Sequence, residues 1–246
     1  MRVSRERTKQ TSGVIPPATR VKDRQRSVTP VEIDHVLKAC PDHYWRTIVA
    51  LARYGGLRTP SETLSVRWQD VDWGNGRIIV QSPKTEHHAG KAHRTIPLFA
   101  ELRPYLIEAF DFAPDGAEYV VDARFRQAAM GKAGWKNANL RTTFQKIVRR
   151  AGLDPWPRLF HNLRASRETE LVERYPVQVV TDWLGNTPSV AIRHYLMTTN
   201  EHFAAAVRGE TKAAQNAAQQ VHALGRIEPQ NQTTAHKKTS IAGVCG

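Results

Sequence analysis

Apolar residues recur at helical spacing in several separate stretches of the chain. Ile33, Val36 and Leu37 form one stripe, entered through Ser27-Val28-Thr29-Pro30-Val31-Glu32. There Thr29 suits an N-cap, Pro30 the first helical position and Glu32 the far side of a capping box. Residues 44–54 are apolar on most sides and predict a second, more deeply buried helix. After Gly55-Gly56-Leu57-Arg58, the run Thr59-Pro60-Ser61-Glu62 repeats the same punctuation and predicts a helix carrying Leu64 and Val66. Arg58 would then stand just before a helix N-terminus, where free N–H groups and the helix dipole favour an anion. Asp72-Trp73-Gly74-Asn75-Gly76 is a turn signal, and Arg77-Ile78-Ile79-Val80-Gln81 behind it reads as a strand. Arg94-Thr95-Ile96-Pro97 predicts its antiparallel partner, across a loop that holds Lys84, His87, His88, Lys91 and His93. From residue 98 the spacing is helical again, near 99–110, 137–151, 162–174, 176–184, 188–196 and 201–207, with an Ala-rich extension to about 224. The pattern predicts a mainly α domain over 28–207 with a small antiparallel β-sheet.

Composition narrows the class. With 246 residues, 40% hydrophobic and 8% aromatic, the chain can bury a core, so wholesale disorder is excluded. No stretch of about eighteen apolar residues runs uninterrupted, and the first thirty residues hold no apolar leader. Cys40 and Cys245 make neither a disulfide framework nor a C-x-x-C metal pair. A soluble cytoplasmic protein fits these features. The net charge of +13 and pI of about 10.1 point to nucleic acid as partner.

The charge is not spread evenly. Residues 1–27 hold eight basic against two acidic residues, with Pro16-Pro17 and almost no apolar periodicity, which reads as a basic, disordered arm. Residues 208–246 add five basic against two acidic in an Ala/Gln/Thr-rich tail. The middle of the chain keeps a net charge of only +4. Phosphate attraction without sequence preference is therefore strongest at the ends, and anything specific rests on individually placed residues between them.

Four groups of residues carry candidate chemistry: Gly56-Leu57-Arg58, Lys84 in the hairpin loop, His161-Asn162-Leu163-Arg164, and Leu184-Gly185-Asn186 with Arg193-His194-Tyr195. A spacing of three puts His161 and Arg164 on one helix face, able to grip one phosphate. An arginine fork suits two phosphate oxygens at once. Taken singly, each reads first as a structural histidine, a surface charge or a half-buried helix tyrosine, and the functional reading comes second.

In this order the chain resembles the tyrosine recombinase (phage integrase) family, over about residues 28–207. The likeness includes the Thr-Pro-x-Glu opening, the run from Gly56 to Trp68, and the Lys-bearing hairpin closing in Arg-Thr-Ile-Pro. The family places a His or Trp about 22 residues after the arginine of His-x-x-Arg, and its tyrosine about nine further on. Here those positions are Asn186 and Tyr195. The resemblance implies that Tyr195 cleaves one DNA strand, leaving a 3′-phosphotyrosyl link and a free 5′-hydroxyl, and that the strand is then rejoined to another. Arg58 and Arg164, assisted by His161, would meet charge building on the phosphate oxygens. Lys84 would protonate the departing 5′-oxygen, and Lys91 would contact DNA beside Arg58, Lys84 and Arg164. It implies double-stranded DNA and further protomers as partners, and neither cofactor nor metal.

Three departures accompany the likeness. Asn186 offers an amide donor without charge in place of His or Trp. Three residues rather than two separate Arg58 from Glu62, which bears on the supporting role of Glu62. Only 27 residues precede the segment that opens the first predicted helix, so the family's core-binding domain is expected to be absent or truncated. A catalytically impaired remnant that only binds DNA therefore stands as the alternative. A topoisomerase-like enzyme and a metal-dependent nuclease using His87, His88 and His93 are weaker alternatives, the latter because no carboxylate or cysteine joins the histidines in register.

Overall fold

Thr29 does cap the first helix, α1 (Pro30–Lys38). Its hydroxyl accepts from the Glu32 amide while Glu32 reaches back to the Thr29 amide, so the capping box closes as its sequence predicts. The computed structural model describes residues 24–82, 92–132 and 134–209. The arm before residue 24, the tail from residue 210, and the hairpin loop with Lys84, His87, His88 and Lys91 lie outside the described residues.

Asp42 caps α2 (His43–Arg53) through the Trp45 amide, and every residue from Trp45 onward except Arg46 is buried. Its run Ile48–Ala52 is apolar, Thr47 and Arg53 are buried with it, and α2 lies at the centre, packed against α1, α3 (Arg103–Asp111) and α6 (Leu159–Val172). The sheet is three-stranded and antiparallel, in the order β1 (Val71–Asp72), β2 (Arg77–Gln81), β3 (His93–Pro97). Ile78 faces Ile96, and Val80 faces Arg94. Ile78, Val80 and Ile96 enter the core, so the period-two pattern sets the register.

The remaining helices are α3 (Arg103–Asp111), the short α4 (Arg124–Gln127), α5 (Arg141–Arg150), α6 (Leu159–Val172), α7 (Val177–Leu184), α8 (Pro188–His194) and α9 (Asn200–Val207). Apart from α4, which the sequence pattern does not predict, their order matches the predicted helices with ends shifted by a few residues, and the fold is mainly α with a small antiparallel sheet. Among the described residues, no helix is long and apolar enough to cross a membrane.

The predicted helix after Arg58 is absent. Residues 59–65 form successive turns. The Arg58 carbonyl takes both the Glu62 and Thr63 amides, Pro60 takes Leu64, and Glu62 takes Ser65. The two i→i−4 bonds, Glu62 to Arg58 and Leu64 to Pro60, are separated by an i→i−5 bond and followed by an i→i−3 bond, so no continuous helical ladder forms. The Thr59 hydroxyl is buried without a partner. The side chain that caps here is Glu62, whose Oε2 accepts from the Arg58 amide at 2.8 Å.

Candidate active site

Helix α6 buries an unusual set of polar side chains: Asn162, Arg164, Ser166, Arg167, Glu168 and Thr169. Each must find a partner or lose the free energy of its hydration. The helix is entered through Arg158, whose backbone is left-handed at φ 50°. For a residue with a Cβ that conformation costs about 1–2 kcal/mol. It stands one turn before His161, at the end of α6 nearest the candidate chemistry.

Arg164 extends from α6 to donate to the Gly56 carbonyl at 2.6 Å and the Leu184 carbonyl at 2.5 Å. Arg58 donates to the Gly185 carbonyl at 2.6 Å and to Glu62 Oε1 at 2.6 Å. A third arginine, Arg94 of β3, donates through Nε to the Trp183 carbonyl at 2.7 Å, and to Ser82 and both carboxylate oxygens of Glu62. The last carbonyls of α7 and its cap thus go, in order, to three different arginines. Those carbonyls are the orphans of a helix C-terminus, where the dipole is negative and cations are favoured.

Glu62 lies between the three guanidiniums, with Arg164 4.0 Å from its Oε2. Its side chain is only 1% exposed. Burial pushes its carboxyl up, but Arg94, Arg58 and Arg164 outweigh burial and hold it at about 2. Arg164 is likewise pushed down by burial and by Arg58, although an arginine in a protein keeps its proton. Two glycines allow the cluster to close. Gly56 has φ +65° and a Cβ there would meet Leu184 at 2.5 Å; Gly185 has φ +68° and a Cβ there would meet Arg94 at 2.9 Å.

Tyr195 is not inside α8, as expected from the spacing, but caps its C-terminal end. Its ring stacks on His161, with centroids 4.7 Å apart and planes at 28°, and the Arg164 guanidinium lies 5.2 Å from its centroid. His161 Nε2 lies 3.3 Å from the His194 carbonyl, which can only accept, so the hydrogen is assigned to Nε2. Burial first, and the charge of Arg158 next, lower His161 to about 4, so the ring is neutral at pH 7. The same His194 carbonyl accepts from Gln25 Nε2 at 2.9 Å. Asn162 donates to the Arg24 carbonyl, and Ser166 Oγ takes the Val28 amide. The segment entering the domain is therefore bound both to α6 and to the residue before Tyr195.

Asn186 Nδ2 donates to Glu168 Oε1 at 2.8 Å. Glu168 Oε2 and Asn186 Oδ1 are both buried without a partner. Burial raises the Glu168 carboxyl above its ordinary value, against the opposing charge of Arg164 and Arg58.

Of the sequence-predicted residues, Arg58, His161, Arg164 and Tyr195 gather in one place, with Asn186 alongside; Lys84 and Lys91 lie outside the described residues. Sequence reasoning misses Arg94 and Glu168, and gives Glu62 no more than a supporting role. Glu168 sits one turn after Arg164, on the same helix face, and Arg94 belongs to the Arg-Thr-Ile-Pro run; neither has any other signal.

The chain is 27% identical over 186 residues to the tyrosine recombinase XerA of Thermococcus kodakarensis, a match covering 72% of this chain and 60% of that protein. It therefore spans about three fifths of that relative's length. Among solved structures, XerA recombinase superposes with a TM-score of 0.60 at 17% identity, over 76% of this chain and 65% of the other. The XerH site-specific recombinase bound to a palindromic difH substrate gives 0.52 at 18% identity, over 80% and 53%. A lambda integrase dimer bound to a core site gives 0.51 at 17%, over 70% and 48%. These likenesses are of fold. The sequence model of the phage integrase family matches residues 26–202, and the chain belongs to that family.

Proposed function

We propose that this protein is a site-specific DNA recombinase or integrase that cleaves and rejoins strands through a 3′-phosphotyrosyl intermediate. The observation that carries the reading is the convergence of Arg164 and His161 on the ring of Tyr195, with Arg58 tied to the same α7 terminus. A phosphodiester gains charge on its non-bridging oxygens during substitution, and the two arginines supply fixed cations for it. The Tyr195 oxygen attacks phosphorus as its phenolic proton is lost to solvent beside the Arg164 charge, and the bond to the 5′-oxygen breaks. Lys84 gives the leaving 5′-oxygen its proton. The reverse attack by a 5′-hydroxyl releases Tyr195 and reseals the strand. Bond energy is kept in the phosphotyrosine, so no nucleotide cofactor is needed.

Residues 28–207 form the catalytic domain in this reading. The arm over 1–27 and Lys91 add phosphate contacts, and the tail over 208–246 packs on a neighbouring protomer on double-stranded DNA. Phosphotyrosine chemistry is tested with a library of nicked suicide duplexes of randomised sequence, in EDTA and low salt. Adducts surviving a denaturing gel are expected for the wild type and absent for Tyr195→Phe. A wild type that binds the duplexes but forms no Tyr195-dependent adduct refutes the reading in favour of a DNA-binding remnant.

A further inference from the structure

Position 186 departs from the family pattern, and the residue found there is held by a buried carboxyl four residues after Arg164. We infer that Glu168 is the positioning residue for Asn186, and that the two side chains act as one carboxyl–amide unit beside the phosphate-binding arginines. The inference rests on the proposed DNA-cleaving function.

An asparagine amide has two faces of nearly equal shape, and only its hydrogen bonds decide which end is nitrogen. Here Glu168 Oε1 accepts from Nδ2 at 2.8 Å, which fixes the nitrogen toward α6. The same nitrogen carries a second N–H, and that is the donor a phosphate oxygen can take. Without Glu168 the amide is free to turn over and present its carbonyl, an acceptor that repels phosphate.

The inference extends to the other two polar atoms of the pair. Glu168 Oε2 and Asn186 Oδ1 are the two buried polar atoms left over, and both are acceptors when the carboxyl is ionised. One proton on Oε2 turns it into a donor and supplies what Oδ1 lacks. The groups facing Glu168 are Arg164 on its own helix, Arg58 from the loop before the turns, and Asn186 after α7. Its other charged helix neighbours, Arg167 and Glu170, pair with Glu101 and Arg53 instead. A DNA phosphate at Arg58 and Arg164 brings a negative charge beside the carboxyl and favours its protonated form. Phosphate binding and completion of the pair therefore reinforce each other. An ionised Glu168 would instead offset part of the positive field that the arginines provide.

Variants of the full chain separate these roles. Single-turnover cleavage of a selected suicide duplex is expected to keep within about threefold of wild type for Glu168→Gln, which preserves shape and neutrality. Glu168→Ala is expected to lose at least tenfold in rate at saturating DNA, beyond any weakening of DNA binding. Wild-type rate in Glu168→Ala, or equal losses in both variants, overturns the inference. A second measurement needs no cleavage. Asn186→Asp places two carboxyls together and is expected to lower the melting temperature more at pH 8 than at pH 5. Combining it with Glu168→Gln restores an amide–carboxyl pair of reversed polarity. That double variant is expected to recover the melting temperature without recovering cleavage, since a carboxylate at position 186 offers phosphate no donor. A double variant no more stable than Asn186→Asp alone overturns the pairing, even if the wild type forms no adduct and the functional reading fails by itself.

Discussion

Replacing Glu62 by glutamine tests the cluster most directly, because one buried carboxylate offsets three guanidiniums. Its folded value of about 2, against an ordinary 4.5, corresponds to about 3 kcal/mol of stability at neutral pH. Leaving buried arginines without their counter-charge costs a comparable amount, about 3–5 kcal/mol. Glutamine also turns an amide N–H toward guanidinium donors that need acceptors. For a domain of this size, a loss of about 3 kcal/mol lowers the melting temperature by roughly 10 °C. The pH dependence gives the sign. A lowered carboxyl contributes above its unfolded value and loses that contribution as pH falls through its folded value. The gap between wild type and Glu62→Gln is therefore full above about pH 5 and shrinks from 4.5 downward toward 2. Urea unfolding followed by tryptophan fluorescence at about pH 7, 4.5 and 3 measures it. A gap below about 1 kcal/mol at neutral pH, or one of the same size at the acid end, refutes this account.

Four further outcomes rest on the same geometry. Arg164→Lys loses a fork that binds two carbonyls at once and should cost about 2–3 kcal/mol of stability along with cleavage. Arg58→Lys, at a side chain 21% exposed, should lose cleavage as severely but less than about 1 kcal/mol of stability; equal destabilisation in denaturant would count against the distinction. His161 is kept neutral by the fold, so the unfolded chain takes up its proton first as pH drops. Stability should fall between pH 6.5 and about 4, and His161→Gln should flatten that fall. A shift of this size would be worth about 3 kcal/mol for a fully buried ring, and solvent at this part-exposed ring brings it to roughly half. Gly185→Ala meets both the left-handed backbone and Arg94, and should cost about 1–2 kcal/mol in thermal melts, with an unchanged melt refuting the close approach.

What could be seen in the sequence was local. The Thr29–Glu32 capping box, the apolar α2, and the alternation of Ile78 and Val80 each depend on residues within a few positions, and each formed as expected. His161, Arg164 and Tyr195 were legible because helical spacing and the family pattern coincide. The turns at 59–65 were not, because the carboxylate of Glu62 is shared between Arg58 beside it and Arg94, 32 residues away, and only the fold brings Arg94 to it. The same reason hid Glu168. Its spacing from Arg164 is ordinary for any helix, and only the fold shows that Asn186 sits against it.

The three arginines that end on the Trp183, Leu184 and Gly185 carbonyls have a consequence for how such a protein changes its target. Fixing a long side chain costs up to about 2 kcal/mol of rotamer freedom, and here folding has already met that cost through main-chain acceptors. A cradle set before any ligand arrives treats every phosphodiester alike, since a phosphate carries no sequence information. In the proposed function, chemistry and address are thus housed in different parts of the chain. Substitutions that redirect the protein to a new duplex belong outside this cluster and should leave its cutting rate intact. Within it, Trp183 and Leu184 meet the arginines through backbone carbonyls while their side chains are held by packing, Leu184 in the core and Trp183 against Phe99 and Tyr175, and Gly185 admits no side chain at all.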